Sequence, residues 1–317
     1  MKKELGIFTL LVLLCAVTTA INPRFLSQAN LTHMANTIGM YGIFSIGLGL
    51  IIITGGIDLS VGSMFALAGV LLSMALMEWH WPWPLAVLFV IALPMLLGWA
   101  HGALVTRVGM QPFIVTLCGL LIYRGVARFI AHESTKGFGG EEGFRALRFL
   151  ASGRLLGVPM PFVSLVIIGG IMWVVLHRSI YGRYLLAVGR NEEAARFSGI
   201  NTRRVVASAY VVGGLLTGIA GIMLAFYTNS ISPSTHGNFY ELYGIAAAVL
   251  GGCSLRGGEG SIIGIVIGTT LLQVLQNLVN LLGIDSALNY AVMGAVVLVG
   301  VMADQILRQR AARKPAR

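Results

Sequence analysis

The stretch Ala35–Met77, ANTIGMYGIFSIGLGLIIITGGIDLSVGSMFALAGVLLSMALM, holds 43 residues and a single charge, Asp58. A helix needs about 20 apolar residues to cross the hydrocarbon of a bilayer, within a working range of about 17 to 25. The stretch therefore reads as two crossings, Ala35–Thr54 and Val61–Met77, separated only by Gly55–Ser60. An acid inside such a run is costly and usually functional. Two roles stand for Asp58 and Ser60: capping the helix that follows, with the glycines turning the backbone, or touching a transported molecule.

Outward from this stretch the same rule gives eight more spans: Leu5–Ile21, Trp83–Val105, Pro112–Ala131, Met160–Leu176, Val205–Tyr227, Glu241–Cys253, Ser261–Leu282 and Ala287–Ile306. Glu241–Cys253 is short and reads as a broken or re-entrant helix. The fold class is all-α: a polytopic membrane protein of about ten helices forming one domain over residues 1–317. Leu5–Ile21 also has signal-peptide features, with Lys2 and Lys3 before it and Thr18-Thr19-Ala20 near its end. Its length and the charges downstream favour a retained span.

Composition agrees. The 317 residues are 56% apolar and 11% charged, with mean hydropathy +0.84. So few charges could not cover a soluble surface. That excludes a soluble enzyme, a DNA-binding protein and a disordered chain. The net charge is nevertheless +10. With the N-terminus placed inside, 15 of the 22 lysines and arginines fall on the inner side and seven on the outer. The positive-inside rule supports this orientation, with both termini cytoplasmic. The twelve acids split evenly, so the excess is cytoplasmic and gives no reason to invoke nucleic acid.

Chemistry is notable by its absence. The four lysines lie outside any G-x-x-x-x-G-K-[ST] pattern, and neither G-x-S-x-G nor H-E-x-x-H occurs. The six histidines are scattered, and Cys15, Cys118 and Cys253 read as packed thiols, so no metal is expected. Glu78-Trp79-His80-Trp81-Pro82-Trp83 reads as an anchor at the outer interface, with sugar stacking as the sharper alternative. Glu141–Ala151, with Phe144, Leu147 and Leu150 at spacing three, reads as an amphipathic helix on the outer surface. Arg124 and Arg128 stand one turn apart in an apolar span and must face protein or water. For Arg124, pairing with Glu241 and lining a pathway both stand.

The most informative inner segment is 177–204. Asn191 can cap a short helix whose first turn carries Glu192 and Glu193, where the helix dipole favours acids. Gly199 supplies its stop. Ala194, Ala195 and Phe197 give it a small apolar surface. A helix this short is unstable alone in water, so it makes most sense docked on something.

This segment resembles the coupling-helix loop of ABC importer permeases of the ribose/xylose/arabinose/galactoside class. Three stretches agree with that family. Gly55-Gly56-Ile57-Asp58-Leu59-Ser60-Val61-Gly62-Ser63 is similar to its GIDLSVGS signature. Gln111–Leu117 with Arg124-Gly125 is similar to its fifth-helix pattern. Glu241 to Ser261 is similar to its C-terminal signature. The resemblance covers nearly the whole chain. It departs at Arg190, where a small residue is common, and at Tyr243, where an acid is common.

The resemblance implies a transporter subunit and no enzyme. Two permease copies or related chains form the pore, two cytoplasmic ATP-binding subunits drive it, and a periplasmic protein delivers the sugar. It places the chain in the bacterial cytoplasmic (inner) membrane. No cofactor is expected on this chain, since ATP and Mg belong to the partner subunits. The coupling residues it implies are Gly182, Arg183, Gly189, Asn191, Glu192, Glu193, Ala194, Ala195, Phe197 and Gly199. The pathway or motif residues are Asp58, Ser60, Arg124, Glu241 and Tyr243. Residues 307–317 form a basic inner tail. The competing reading is an ion-gradient-driven secondary transporter, which would need paired intramembrane carboxylates or histidines. Finally, Gly251–Gly258 shares the pattern G-G-x-x-L-x-x-G with Gly55–Gly62, a hint of an internal repeat.

Overall fold

A computed structural model describes residues 2–140 and 144–284 continuously, with isolated positions between 288 and 302. The expected span Ala287–Ile306 and the tail 307–317 lie outside the continuously described residues. The helices are α1 (Lys2–Ile21), α2 (Gln28–Ile53), α3 (Val61–Met77), α4 (Trp83–Ala103), α5 (Pro112–Ile130), α6 (Arg145–Ser152), α7 (Met160–His177), α8 (Ile180–Arg190), α9 (Glu192–Phe197), α10 (Thr202–Thr228), α11 (Tyr240–Leu250) and α12 (Ile262–Leu281). Among the described residues seven of these are long and apolar enough to cross a membrane, while α3 and α11 are apolar but shorter. The chain is a multi-pass membrane protein. Inner and outer below follow the charge count.

α2 is apolar all round and lies at the centre, with Ile43, Ile46, Leu50, Ile51, Ile52 and Ile53 fully buried. It starts at Gln28, seven residues before the expected Ala35, with Ser27 accepting the Asn30 amide as its cap. α10 packs against it and, most extensively, against α4. The α4–α10 contact runs along two small-residue stripes. Gly98 and Gly102 sit against the Tyr210 carbonyl and Ala207; Gly214 and Gly218 sit against Pro94 and Ile91. Such stripes let backbones approach where lipid offers no hydrophobic drive. α12 is tied to α2 by a reciprocal amide pair, Asn30 with Asn277.

At the outer end Lys136–Gly137 pairs antiparallel with Ser230–Ile231. There α6 covers the end of α10, with Phe138 stacked on Phe226 at 4.4 Å. Its buried face is Phe144, Leu147 and Ala151, whereas Leu150 is exposed. The expected spacing of three gives way to the helical 3.6, which rotates Leu150 out. Trp81 packs on Phe89, and Lys136 pairs with Glu78 beside it. Cys118 is exposed on α5, not packed as expected, while Cys253 is buried.

The two glycine motifs end their helices alike. Gly55 (φ +84°) donates to the Ile52 carbonyl and Gly56 to that of Ile51. Gly252 (φ +94°) donates to Val249 and Cys253 to Ala248. Both are Schellman closures, in which a left-handed glycine satisfies the last carbonyls. The structural match is offset by one residue from the sequence pattern, Gly55 corresponding to Gly252 rather than Gly251.

Candidate functional site

A half-length helix, α11, meets the start of α3 inside the bundle. α11 has 11 residues, which is about 16 Å, half of a hydrocarbon core near 30 Å. α3 begins at Val61, after the linker Gly55–Ser60 has climbed inward from the end of α2. Ile231 packs on Gly69 and Gly237 on Gly62, so residues 231–237 run down along α3 from the outer end. Gly62 lies 15 residues from Met77, about 22 Å below the outer end at 1.5 Å per residue. The starts of α3 and α11 therefore meet inside the membrane, below its outer half. A Cβ on Gly62 would run into the Gly237 carbonyl and Glu241 Oε2.

Arg124 holds this junction. Its guanidinium donates to the carbonyls of Pro233 (3.1 Å), His236 (2.7 Å) and Gly62 (3.3 Å). Long helical side chains point toward the N-terminus, which sends Arg124 inward from its place on α5. The expected direct pairing with Glu241 is not what forms. Two of the hydrogen bonds go to carbonyls of the non-helical segment before α11, and such carbonyls need donors in a membrane. Glu241 is buried and interacts with Arg124 and Asp58 through charge. Arg124 thus counters Glu241, and the first turn of α11, where Glu241 stands, adds the positive end of a helix dipole.

Asp58 and Ser60 are both buried. Ser60 stands at the cap position of α3 but makes no side-chain cap bond. Instead Asp58 Oδ1 accepts from the Ser60 amide (2.8 Å) and hydroxyl (2.6 Å). The carboxylate therefore folds the linker into a tight local turn, correcting the expected helix cap. The Ile57 carbonyl beside it accepts from Thr116 of α5 and Tyr210 of α10. His101 Nε2 and Tyr123 Oη lie 2.7 Å apart close by. Tyr243 and Tyr240 both pack on Tyr41, at 6.0 and 4.9 Å, and Tyr240 stacks on Phe44.

The outer end of the junction is tied by a surface pair. Arg128 Nη2 lies 2.7 Å from Glu133 Oε1, and Ser234 Oγ donates to Glu133 Oε2 at 3.2 Å. The Arg128 hydrogen bond holds the Glu133 carboxyl below its usual range.

The inner surface carries α9. Asn191 accepts the Ala194 amide at 2.9 Å as the N-cap, and Glu192 and Glu193 occupy the first turn. Ala195 is buried, anchoring the helix. Glu192, Glu193, Ala194 and Gly199 are exposed, and Phe197 is 80% exposed, an apolar side chain held in the open. α8 precedes α9 and was not anticipated as a helix. Leu185 and Val188 are its buried side, and Arg183 is exposed. Gly182 and Gly189 pack against backbone rather than facing outward. A Cβ on Gly182 would meet the Leu176 carbonyl; one on Gly189 would meet the Ile53 carbonyl and the Gly258 amide. Gly258 itself donates to Ile53 at 2.8 Å. The α8–α9 unit is thereby fastened to the end of α2, where the Gly55–Ser60 linker begins. Tyr181 reinforces it through Ser208 of α10 at 2.8 Å, while burial pushes its phenol up.

Asp58, Ser60, Arg124 and Glu241 are thus brought together, and Tyr243 lies one turn along α11. Residues 182–199 form a separate inner surface. Thr116, Tyr210, His101, Tyr123 and the carbonyls of 233 and 236 also belong to the junction; of these only Thr116 stood in a quoted motif, Gln111–Leu117.

Residues 30–301 match the family described as branched-chain amino acid transport system / permease component. Over 304 residues the chain is 37% identical to the ribose import permease protein RbsC of Bacillus subtilis (strain 168), covering 96% of this chain and 93% of that protein. It is 37% identical over 304 residues to RbsC of Escherichia coli (strain K12), covering 96% and 94%. It is 32% identical over 311 residues to the fructose import permease protein FrcC of Rhizobium meliloti, covering 96% and 86%. No solved structure matches the chain.

Proposed function

The chain belongs to this family of transport-system permease components, with sugar ABC import permeases among its relatives, and from that membership we propose that it is the membrane-spanning subunit of an ATP-driven monosaccharide importer. The observation that carries the reading is the near-complete overlap with ribose import permeases, 96% of this chain at 37% identity. The substrate is a pentose- or hexose-like sugar. It is delivered by an external binding protein to a pore made with a second permease chain, in the bacterial inner membrane. Two cytoplasmic subunits supply ATP hydrolysis with their own ATP and Mg, and this chain performs no covalent chemistry.

The geometry supports a coupling route. Closure of the ATPase pair would push on α9 through Phe197 and the exposed face Glu192–Ala194. α8 has no slack against Ile53 and Gly258, so the push reaches the end of α2 and the Gly55–Ser60 linker as a rigid displacement. The linker is bonded to α5 and α10 through the Ile57 carbonyl. It leads to the junction of α3 and α11, which can swing about their meeting point. Closed packing of this kind is bistable rather than continuously deformable, which suits a switch between two access states. Tyr41, Tyr240 and Tyr243 are partly exposed beside that junction and offer aromatic faces to a sugar ring.

The test is reconstitution of the chain with its ATPase and binding protein. Sugar uptake should require ATP and all partners, and Glu193→Arg should abolish uptake at normal membrane levels. Ion-driven uptake by the chain alone would overturn the reading, and normal uptake by Glu193→Arg would remove α9 from the coupling route.

A further inference from the structure

We propose that the cleft between α4 and α10 at the inner membrane surface is a binding site for the phosphate headgroup of an anionic phospholipid. The cleft encloses about 290 Å³ and is rimmed by Arg107, Arg203 and Arg204, with Trp99, Ala207 and Val211 along its length. Among the described residues none of the three guanidinium groups has an ion pair or hydrogen bond. Arg203 and Arg204 stand in the first turn of α10, which carries no acid. There the positive end of the helix dipole adds to their charge instead of offsetting it. Arg107 joins them because α4 continues as a π-turn, Leu104–Val108, which re-aims the side chains that follow it. Three cations and a helix N-terminus converge on one cleft without a counter-charge.

The shape of the cleft names the source of the anion. From the arginine rim it runs inward to Trp99 and Val211, seven or eight residues along each helix, or about 12 Å at 1.5 Å per residue. Trp99 is 49% exposed on that flank, about 12 Å from the rim, a depth that meets acyl chain and not phosphate. An acidic side chain of a soluble partner approaches from the inner end and would leave this apolar length unused. A phospholipid fills both parts, its phosphate on the arginines and its glycerol and first methylenes along Trp99, Ala207 and Val211. Basic clefts between helices on the inner face are suited to anionic headgroups. The walls are rigid, because α4 and α10 touch backbone to side chain at Gly102 and Ala207 beneath the cleft.

The experiment is native mass spectrometry of the full chain in detergent, titrated with phosphatidylglycerol or phosphatidylcholine. Wild type should retain phosphatidylglycerol in preference to phosphatidylcholine. Arg107→Gln, Arg203→Gln and Arg204→Gln should each weaken phosphatidylglycerol roughly fivefold, and the triple variant roughly a hundredfold. The triple lysine variant should retain binding, and unchanged phosphatidylcholine retention shows that the glutamine variants are folded. Equal retention of phosphatidylglycerol by the triple glutamine variant would overturn the proposal, as would equal binding of the two lipids by wild type. Displacement of the lipid by millimolar inorganic phosphate would assign the arginines to a soluble anion instead. Loss of ATPase-subunit binding with phosphatidylglycerol affinity unchanged would assign them to a protein dock.

Discussion

Replacing Arg124 by methionine should release the re-entrant segment 232–239 without unfolding the bundle. The arginine's two shorter bonds go to Pro233 and His236, at 3.1 and 2.7 Å. Hydrogen bonds from a charged donor are worth about 1.5–3 kcal/mol each, so their loss costs at least about 3 kcal/mol. That raises the constant for local opening roughly 150-fold. The assay is thiol labelling at position 238 (Asn238→Cys) in a background lacking Cys15, Cys118 and Cys253. Arg124→Met should accelerate labelling by about two orders of magnitude. Arg124→Lys, one ammonium in place of a fork, should fall between. A second thiol at the fully buried Ala220 of α10 should stay protected, separating local release from global unfolding. A change at position 238 of less than about threefold would refute the stapling role.

Gly189→Leu should break the Gly258 to Ile53 bond, because any side chain there meets both groups. Overpacking of this kind costs about 1–3 kcal/mol or more, read as a lower melting temperature and reduced membrane level. Phe197→Asp should leave stability within about 0.5 kcal/mol, as expected of an exposed position, while abolishing co-purification of the ATPase subunit. The Glu133 carboxyl is held low by Arg128, so its ties to Arg128 and Ser234 are complete above the ordinary carboxylate value, about 4.3. They are lost as pH falls through the depressed folded value. Labelling at position 238 should therefore rise under acid, and Glu133→Gln should flatten that pH dependence.

The crossing helices were legible because a membrane demands long apolar runs, and α5, α7 and α12 begin and end within a residue or two of expectation. α8 escaped because Gly182, Arg183 and Gly189 interrupt its apolar pattern; its glycines serve contact with Ile53 and Leu176, which only the fold reveals. The segment between α10 and α11 falls outside every apolar run because Ser232, Ser234, Thr235, His236 and Asn238 are polar. Its depth depends on carbonyls accepting from Arg124, and carbonyls carry no sequence signal. For the same reason the sought partner of Arg124 was a side chain, Glu241. The Asp58 turn was similarly misread, since an acid before a helix suits a cap and an Asx turn equally well.

The backbone bond from Gly258 to Ile53 also bears on how the chain is made. Synthesis delivers residue 53 long before residue 258, and the Arg124 carbonyls at 233 and 236 arrive only shortly earlier. Until then the end of α2 lacks its Gly258 donor, and the half-buried Arg124 guanidinium has only the Gly62 carbonyl. The early helices can insert, but their arrangement is completed from the C-terminal third, a high-separation closure that folds slowly. A ribosome stalled near residue 228 would leave an inserted but unlatched bundle, an open substrate for membrane quality control.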